Sequence, residues 1–188
     1  MKNLLLLAFI IVSIISCNGN KTKYDTLKDS VEKFKDSLET LEVEAYIPEK
    51  YSEVKTDTIL SNGFSVSIKT YTDMNRFVTF QYKVDETLTH IDKFRDWISE
   101  VKIKKDNVLI FDKKLDANFF LEQDKSIKDS VSKAINNKVW LNEDFPLEKN
   151  YVYLVGGFIF PESEKVIYYD IKIDTKGNYS LKKIKLEY

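Results

Sequence analysis

Cysteine, histidine, glycine and proline are all scarce in this 188-residue chain, which has one Cys, one His, 5 Gly and 3 Pro. A single cysteine excludes an internal disulfide framework, so a folded domain must be stabilised by its hydrophobic core. One histidine and one cysteine exclude the usual zinc-ligand sets, and a histidine-dependent catalytic set would have to use His90. The low glycine and proline content argues against disorder and low complexity.

Motifs that carry catalysis or bind cofactors are also missing. The sequence has no Gly-x-Ser-x-Gly elbow, no phosphate-binding loop and no dinucleotide fingerprint, since Gly156-Gly157 lie inside an apolar run. Asp170, Asp174 and Asn178 lie near a glycine turn, but their spacing is not that of a calcium loop. We therefore predict no metal, no cofactor and no catalytic residue, and the protein is expected not to be an enzyme.

Positive and negative charges are nearly balanced in the chain. It has 29 Lys and Arg against 30 Asp and Glu, a formal net charge of −1, and the two signs are interspersed. This pattern is typical of a solvated surface, and it lacks the basic footprint of a nucleic-acid-binding protein.

The amino terminus combines Lys2 with an apolar run over residues 4–15, interrupted by Ser13. About 12 residues are too few for a helix that spans a bilayer, which needs about 20, but they suit the central part of a secretory signal. The run ends in Ile14-Ile15-Ser16-Cys17, which resembles the lipobox of a bacterial lipoprotein.

That resemblance implies removal of residues 1–16 as a signal peptide and lipidation of Cys17 by diacylglycerol and a fatty acid such as palmitate. Residues 17–23 would then be a lipidated tether, and two or more acyl chains give durable membrane anchoring. Asn18 is not the aspartate that favours inner-membrane retention in enterobacterial lipoproteins. We therefore expect the outer membrane, on its periplasmic face.

The first folded segment, residues 24–46, is predicted to be an amphipathic helix that covers at least residues 24–43. Its apolar residues are spaced alternately three and four apart, as in a heptad repeat: Tyr24, Leu27, Val31, Phe34, Leu38 and Leu41. Such a stripe must be covered by something. Two interpretations remain open: the helix packs on its own domain or serves as a stalk, or it pairs with another copy of the chain.

Residues 47–188 are predicted to form a single domain of the α+β class, with one mainly antiparallel sheet of hairpins and a meander, and one further helix. An Asn62-Gly63 type I′ turn is expected in the first hairpin. Residues 85–96 are either a short helix or a loop. The predicted strands are 55–60, 64–71, 76–84, 97–104, 108–113, 151–160, 166–174 and 179–186, and the second helix covers 125–136.

Exposed aromatic residues are the one feature of the domain that suggests a ligand. Trp97, Trp140 and Tyr168 are candidates for a glycan- or lipid-binding surface, and Tyr168 is expected to be partly exposed, whereas Tyr169 shares the apolar face of its strand. The alternative is that these aromatics fill the core of the sheet.

The whole chain resembles the small lipoproteins of the Gram-negative envelope. We therefore expect a membrane-anchored, non-enzymatic module that binds an envelope protein or a glycan. Three alternatives stay open: a structural protein assembled through helix 24–43, a carboxylate-based hydrolase of envelope polysaccharide, and a half-barrel that carries a lipid.

Overall fold

The computed structural model describes residues 23–37, 41–143, 147–163 and 165–185. The chain divides into two units, Met1–Leu41 and Glu42–Tyr188. Helix α1 in the first unit spans Lys23–Ser37. The lipobox and Cys17 lie outside the described residues, as does Leu38. Among the described ranges, no helix is long and apolar enough to cross a membrane.

The predicted helix over residues 24–43 is too long. Residues Leu41–Ile47 form strand β1, which pairs with strand β4 (Leu88–Lys105). Apolar and charged residues alternate from Leu41 to Glu44, which is the period of a strand. Leu41 fits both this alternation and the heptad spacing, so the sequence pattern alone did not show where the helix ends.

Sheet A contains five strands. Strand β2 spans Glu53–Ile59, β3 spans Phe64–Lys83 and β5 spans Val108–Leu115. The order is β1-β4-β3-β2, and β5 also pairs with β4. The β2–β3 and β4–β5 hairpins confirm the two hairpins predicted from the sequence.

Two predictions about β3 and β4 were wrong. The expected strands 64–71 and 76–84 are one strand, because β3 continues through a bulge between Thr72 and Phe77. The segment 85–96, expected as a helix or a loop, belongs mostly to β4 and pairs with the far half of β3. Long-range pairing therefore overrides the apparent helical spacing of its apolar residues.

Sheet B also has five strands. Strands β8 (Tyr151–Ile159), β9 (Val166–Asp174) and β10 (Tyr179–Ile184) form the predicted antiparallel meander. Two short strands, β6 (Ile135–Asn136) and β7 (Trp140–Leu141), pair with the other edge of β8. The fold is thus mainly antiparallel sheet with helices, as the α+β prediction stated, but it has two sheets where one was expected.

The second helix was predicted in the wrong place. Helix α2 spans Ala117–Gln123, and Asp116 caps it by accepting hydrogen bonds from two backbone amides. The segment 125–136 instead contains two short 3₁₀ turns, Lys125–Ile127 and Val131–Lys133, before β6. Its apolar side chains do not need a regular helix, since Ile127 and Ala134 each reach the core from an irregular segment.

The core lies between the two sheets and α2. Inward side chains of β3, β4 and β5 meet those of β8 and β9, with Phe119 and Phe120 of α2 among them. Tyr169 belongs to this core, as predicted, and is 2% exposed. The backbone approaches Gly157 closely, because a Cβ there would lie 2.0 Å from the carbonyl oxygen of Ile167.

The turn before β3 differs from the predicted type I′. That type needs positive φ at both central residues, but in the Asn62-Gly63 pair the angle is positive at Gly63 alone, +86°. The Asn62 side chain donates a hydrogen bond from Nδ2 to the carbonyl oxygen of Glu148 at 2.7 Å. Asp106 and Asn107, with φ of 48° and 68°, supply the paired positive angles in the β4–β5 turn.

Candidate functional site

A buried row of polar groups, here called the polar seam, joins sheet A to the segment that leads into β7. It consists of Thr70, Arg76, Asp96, Ser99 and Asn136. Four of the five are almost fully buried, with exposures of 0–3%, and Arg76 is partly buried. Buried polar groups must be hydrogen-bonded, and those of the seam bond mainly across the boundary between the sheets.

Asn136 and Ser99 make the contacts that cross this boundary. The backbone amide of Asn136 donates to Asp96 Oδ1 at 3.1 Å, and its side-chain amide donates to the carbonyl oxygen of Trp97. Ser99 Oγ accepts from the Val139 amide at 3.1 Å and shares a hydrogen bond of 2.9 Å with Thr70 Oγ1. Residues 136–139 are therefore fixed to β4 by directional bonds as well as by packing.

The bulge in β3 brings Arg76 to the seam. Four residues of β3 stand opposite one residue of β4, and this places the Arg76 guanidinium against the Asp96 carboxylate. Arg76 Nη2 also donates to the carbonyl oxygen of Val131 at 3.0 Å. Bulges commonly redirect a side chain in this way. Asp96 is thus satisfied by a cation on one oxygen and by a backbone amide on the other.

Because the seam fixes residues 136–139, it also positions Trp140 and Leu141, which separate two surface depressions. The first, the edge groove, has a volume of about 230 Å³ and lies between the inner face of β2–β3 and residues 138–141. The second, the tyrosine pocket, has a volume of about 220 Å³. Leu141 lines both, so the two depressions meet at this side chain.

The tyrosine pocket has an apolar body and a polar rim. Leu60, Leu141, Leu147 and Val152 form the body, and the rim carries Glu143, Glu148, Tyr151 and Tyr153. Asn142 also lines the pocket, and its backbone amide donates to the Tyr153 carbonyl oxygen at 2.9 Å. Apolar walls with a few placed polar groups are typical of binding sites.

The rim of the tyrosine pocket is held by charge-assisted contacts. Tyr153 Oη donates to Glu148 Oε1 at 2.6 Å, and Lys172 Nζ lies 4.0 Å from Glu148 Oε2. The same ammonium lies 3.7 Å from the centroid of the Tyr151 ring, a cation–π distance. These contacts hold Glu148 and Tyr153 in place at the rim before any ligand binds.

Two groups of the rim, Tyr153 and Lys172, hold their protons more tightly than usual. Burial, followed by the hydrogen bond to Glu148, raises the pKa of Tyr153 above its ordinary value. The hydrogen bond with Tyr153 raises the pKa of Lys172, and the nearby Glu148 charge adds to this, although burial opposes it. Both groups therefore keep their protons at pH 7 and are poorly suited to exchange them with a substrate.

The three aromatic residues predicted as ligand-facing lie around the same short segment. The Trp140 and Tyr168 rings pack edge to face with centroids 5.4 Å apart, and Lys138 Nζ lies 4.0 Å from the centroid of Trp97. They do not form one flat surface. The expectation that Tyr168 is partly exposed was wrong: it is 5% exposed, with Asn137 Nδ2 donating to its hydroxyl at 2.9 Å.

The remaining polar candidates from the sequence have structural partners. His90 lies in β4 and stacks on Tyr82 with ring centroids 5.5 Å apart. Asp174 Oδ1 accepts from the backbone amides of Lys176 and Asn178, which is ordinary turn chemistry. Within the described ranges, no group of three His, Cys, Asp or Glu residues is placed to hold a metal ion.

No protein-family model matches this chain, and no curated protein matches it.

Sequence reasoning missed the rim of the tyrosine pocket. The apolar run around Gly156-Gly157 dominates the pattern of residues 151–160, but Tyr151 and Tyr153 alternate with Val152 and so mark one polar face at the start of the strand. Glu148 and Lys172 are far apart in the sequence, and the β8–β9 pairing brings them together, with Tyr153 opposite Lys172.

Proposed function

We propose that this chain is a lipid-anchored envelope protein whose β domain is a non-enzymatic binding module. The tyrosine pocket is the observation that supports a binding function for the domain. It is a depression with an apolar body, and the hydrogen bond from Tyr153 to Glu148 holds part of its rim in place. The sequence that resembles a lipobox supports the proposed lipid anchor.

The anchor follows from Ile14-Ile15-Ser16-Cys17 and from the apolar run before it. Cys17 is the only cysteine of the chain, so lipidation there leaves no free thiol. Two or more acyl chains hold a protein on a membrane far longer than one does. The lipidated chain would lie in the outer membrane and face the periplasm.

The size of the tyrosine pocket favours a macromolecular partner. Its volume of about 220 Å³ falls below the roughly 300–1,000 Å³ of sites that enclose a drug-sized ligand. It suits one apolar side chain of a partner protein, the kind of central anchor that dominates many interfaces. A lipid-carrying half-barrel would need space between the sheets, which packed core side chains fill.

Leu147 offers a direct test of this site. Its side chain is 58% exposed and lines the pocket, so Leu147→Glu changes the surface with little effect on the fold. Leu109 is 50% exposed on β5, away from the pocket, and Leu109→Glu is the matched control. Proteins would be cross-linked in native membranes, and each variant would then be purified together with the neighbours attached to it.

We expect one partner to be retained by the wild type and by Leu109→Glu, and reduced at least tenfold by Leu147→Glu. A tenfold loss corresponds to about 1.4 kcal/mol, a modest value for burying a charge where a leucine anchored a partner. Equal recovery with both variants would contradict the assignment of the site.

A second candidate function is a carboxylate-based hydrolase of envelope polysaccharide. One observation favours it: Glu143 and Glu148 line the same pocket above an apolar floor. Against it, Glu148 is engaged by Tyr153 and Lys172. Purified protein that cleaves a glycan, keeps this turnover with His90→Ala and loses it with Glu148→Gln would establish the hydrolase and refute the binding module.

A further inference from the structure

Among the residues that the structure describes, strand β2 has an open edge. It is the last described strand of sheet A on its side, with β3 as its neighbour. The ladder ends in hydrogen bonds from Leu60 N to Phe64 O and from Thr72 N to Ser52 O. Because bonded pairs alternate along an antiparallel ladder, the even-numbered residues of β2 bond to β3. The odd-numbered residues therefore direct their peptide groups outwards: Glu53, Lys55, Asp57 and Ile59.

The side chains along this edge are exposed. Ile59 is 85% and Val54 52% exposed, and Lys55 and Asp57 keep 58% and 61% of their side chains accessible. Strand β7 of sheet B contains only two residues, Trp140 and Leu141. The edge groove lies between these residues and the inner face of β2. An unpaired edge of this kind is a template for another strand.

The charges on β2 select a partner. Lys55 and Asp57 lie on one face and form an ion pair of 2.9 Å within the strand. An antiparallel copy of β2 centred on Thr56 would place each Lys55 opposite the other copy's Asp57. Opposite charges across a strand pair are stabilising, and like charges are destabilising.

Other two-fold registers fit less well. Centring the pair on Lys55 or on Asp57 sets like charges directly opposite each other. Centring it on Val54 or Thr58 leaves much of the seven-residue strand unpaired. The register centred on Thr56 uses the whole strand and satisfies the outward peptide groups of both copies, with about eight backbone hydrogen bonds.

We propose that β2 pairs with β2 of a second copy of this chain, antiparallel about a two-fold axis at Thr56. The pairing joins the two five-stranded A sheets into one continuous sheet, and it brings the two edge grooves to the same face. The interface is isologous, as in most soluble homodimers. It involves neither the lipid anchor nor the tyrosine pocket, so it stands apart from the proposed function.

Disulfide trapping tests the register. In the full chain with Cys17→Ser, an introduced cysteine is the only thiol. Residues at the two-fold axis would form a non-hydrogen-bonded pair with Cα atoms about 4.5 Å apart, within disulfide range. We therefore expect Thr56→Cys to form a covalent dimer under mild oxidation at micromolar concentration.

Thr58→Cys is the matched control on the same strand face. In the proposed register its two copies are offset by four residues, about 13 Å, which is too far for a disulfide. Cross-linking of Thr58→Cys or Val54→Cys in place of Thr56→Cys would overturn the register. Equal, weak cross-linking of all three would overturn the interface.

Exchanging the charges at positions 55 and 57 tests whether these two residues determine how the copies pair. Lys55→Asp alone places two aspartates opposite each other, and Asp57→Lys alone places two lysines opposite each other. Each is expected to weaken the dimer about tenfold in sedimentation equilibrium of the full chain in detergent, while the double variant restores it. A double variant as weak as the singles would contradict the pairing.

Association through helix α1 predicts a different result. Leu27 is 65% exposed on its apolar stripe, and Leu27→Glu would disrupt a coiled coil. A dimer that survives every β2 variant and dissociates with Leu27→Glu would refute the β2 interface and establish the helix as the contact.

Discussion

Removing the carboxylate of Asp96 should loosen the segment that carries the candidate site. Asp96 is 3% exposed and satisfies both Arg76 and the backbone amide of Asn136. In Asp96→Ala, the buried Asn136 amide loses its acceptor, at a cost of about 1–2 kcal/mol. Arg76 loses its counter-charge, but a third of its side chain is exposed, so water screens part of this loss.

The combined cost is about 3 kcal/mol, a large part of the 5–15 kcal/mol that stabilises a typical domain. It corresponds to a melting temperature lower by about 6–12 °C in a domain of this size. Asp96→Asn, which keeps an acceptor for Asn136 and removes the charge, should lie between the variant and the wild type.

Thermal and urea unfolding of the full chain measure this effect. Asp112→Ala is the control, since it removes an ion pair of 3.5 Å between Asp112 and Lys102 on the surface, and such pairs contribute less than about 1 kcal/mol. If Asp96→Ala were no more destabilising than Asp112→Ala, the polar seam would not fix residues 136–139, and our explanation of how the pocket is positioned would be refuted.

Two further predictions concern stability. Gly157→Ala should destabilise the fold by at least about 1–3 kcal/mol, because its Cβ would lie 2.0 Å from the Ile167 carbonyl oxygen; an unchanged urea midpoint would contradict the close approach. The hydrogen bond from Ser126, followed by the one from Tyr169, lowers the pKa of Asp124 in the folded protein. The stability that Asp124 contributes to the fold is therefore fully present above its unfolded-state pKa of about 4, and it is lost as the pH falls through the folded-state pKa. Asp124→Asn should therefore be less stable at pH 7 and lose less stability between pH 5 and pH 2; an acid dependence equal to that of the wild type would contradict this.

Local patterns predicted the elements that depend on local physics. The predicted strands 166–174 and 179–186 are both present in the meander, and the predicted strands 97–104 and 108–113 form a hairpin. The pattern failed where long-range pairing decides the structure. Segment 88–96 has apolar residues three apart, like a helix, yet it forms a strand because β3 pairs with residues 89–95.

The candidate site was less predictable than the fold. Trp140 was identified from its residue type, and the structure places it beside the edge groove. The tyrosine pocket combines Leu60 with Leu147 and Tyr153, which lie more than 80 residues further along the chain. The polar seam was also missed, because Asp96 and Asn136 are polar residues that the sequence pattern assigns to the surface.

We propose that a lipid on Cys17 holds the β domain on the membrane, and the intact mass of the mature protein tests this proposal most directly. Protein purified from its own membranes should begin at Cys17 and carry the added mass of a diacylglycerol group and an amide-linked fatty acid. Cys17→Ala should lack this mass and leave the membrane fraction. A mature chain that begins elsewhere, or that carries an unmodified Cys17, would contradict the claim.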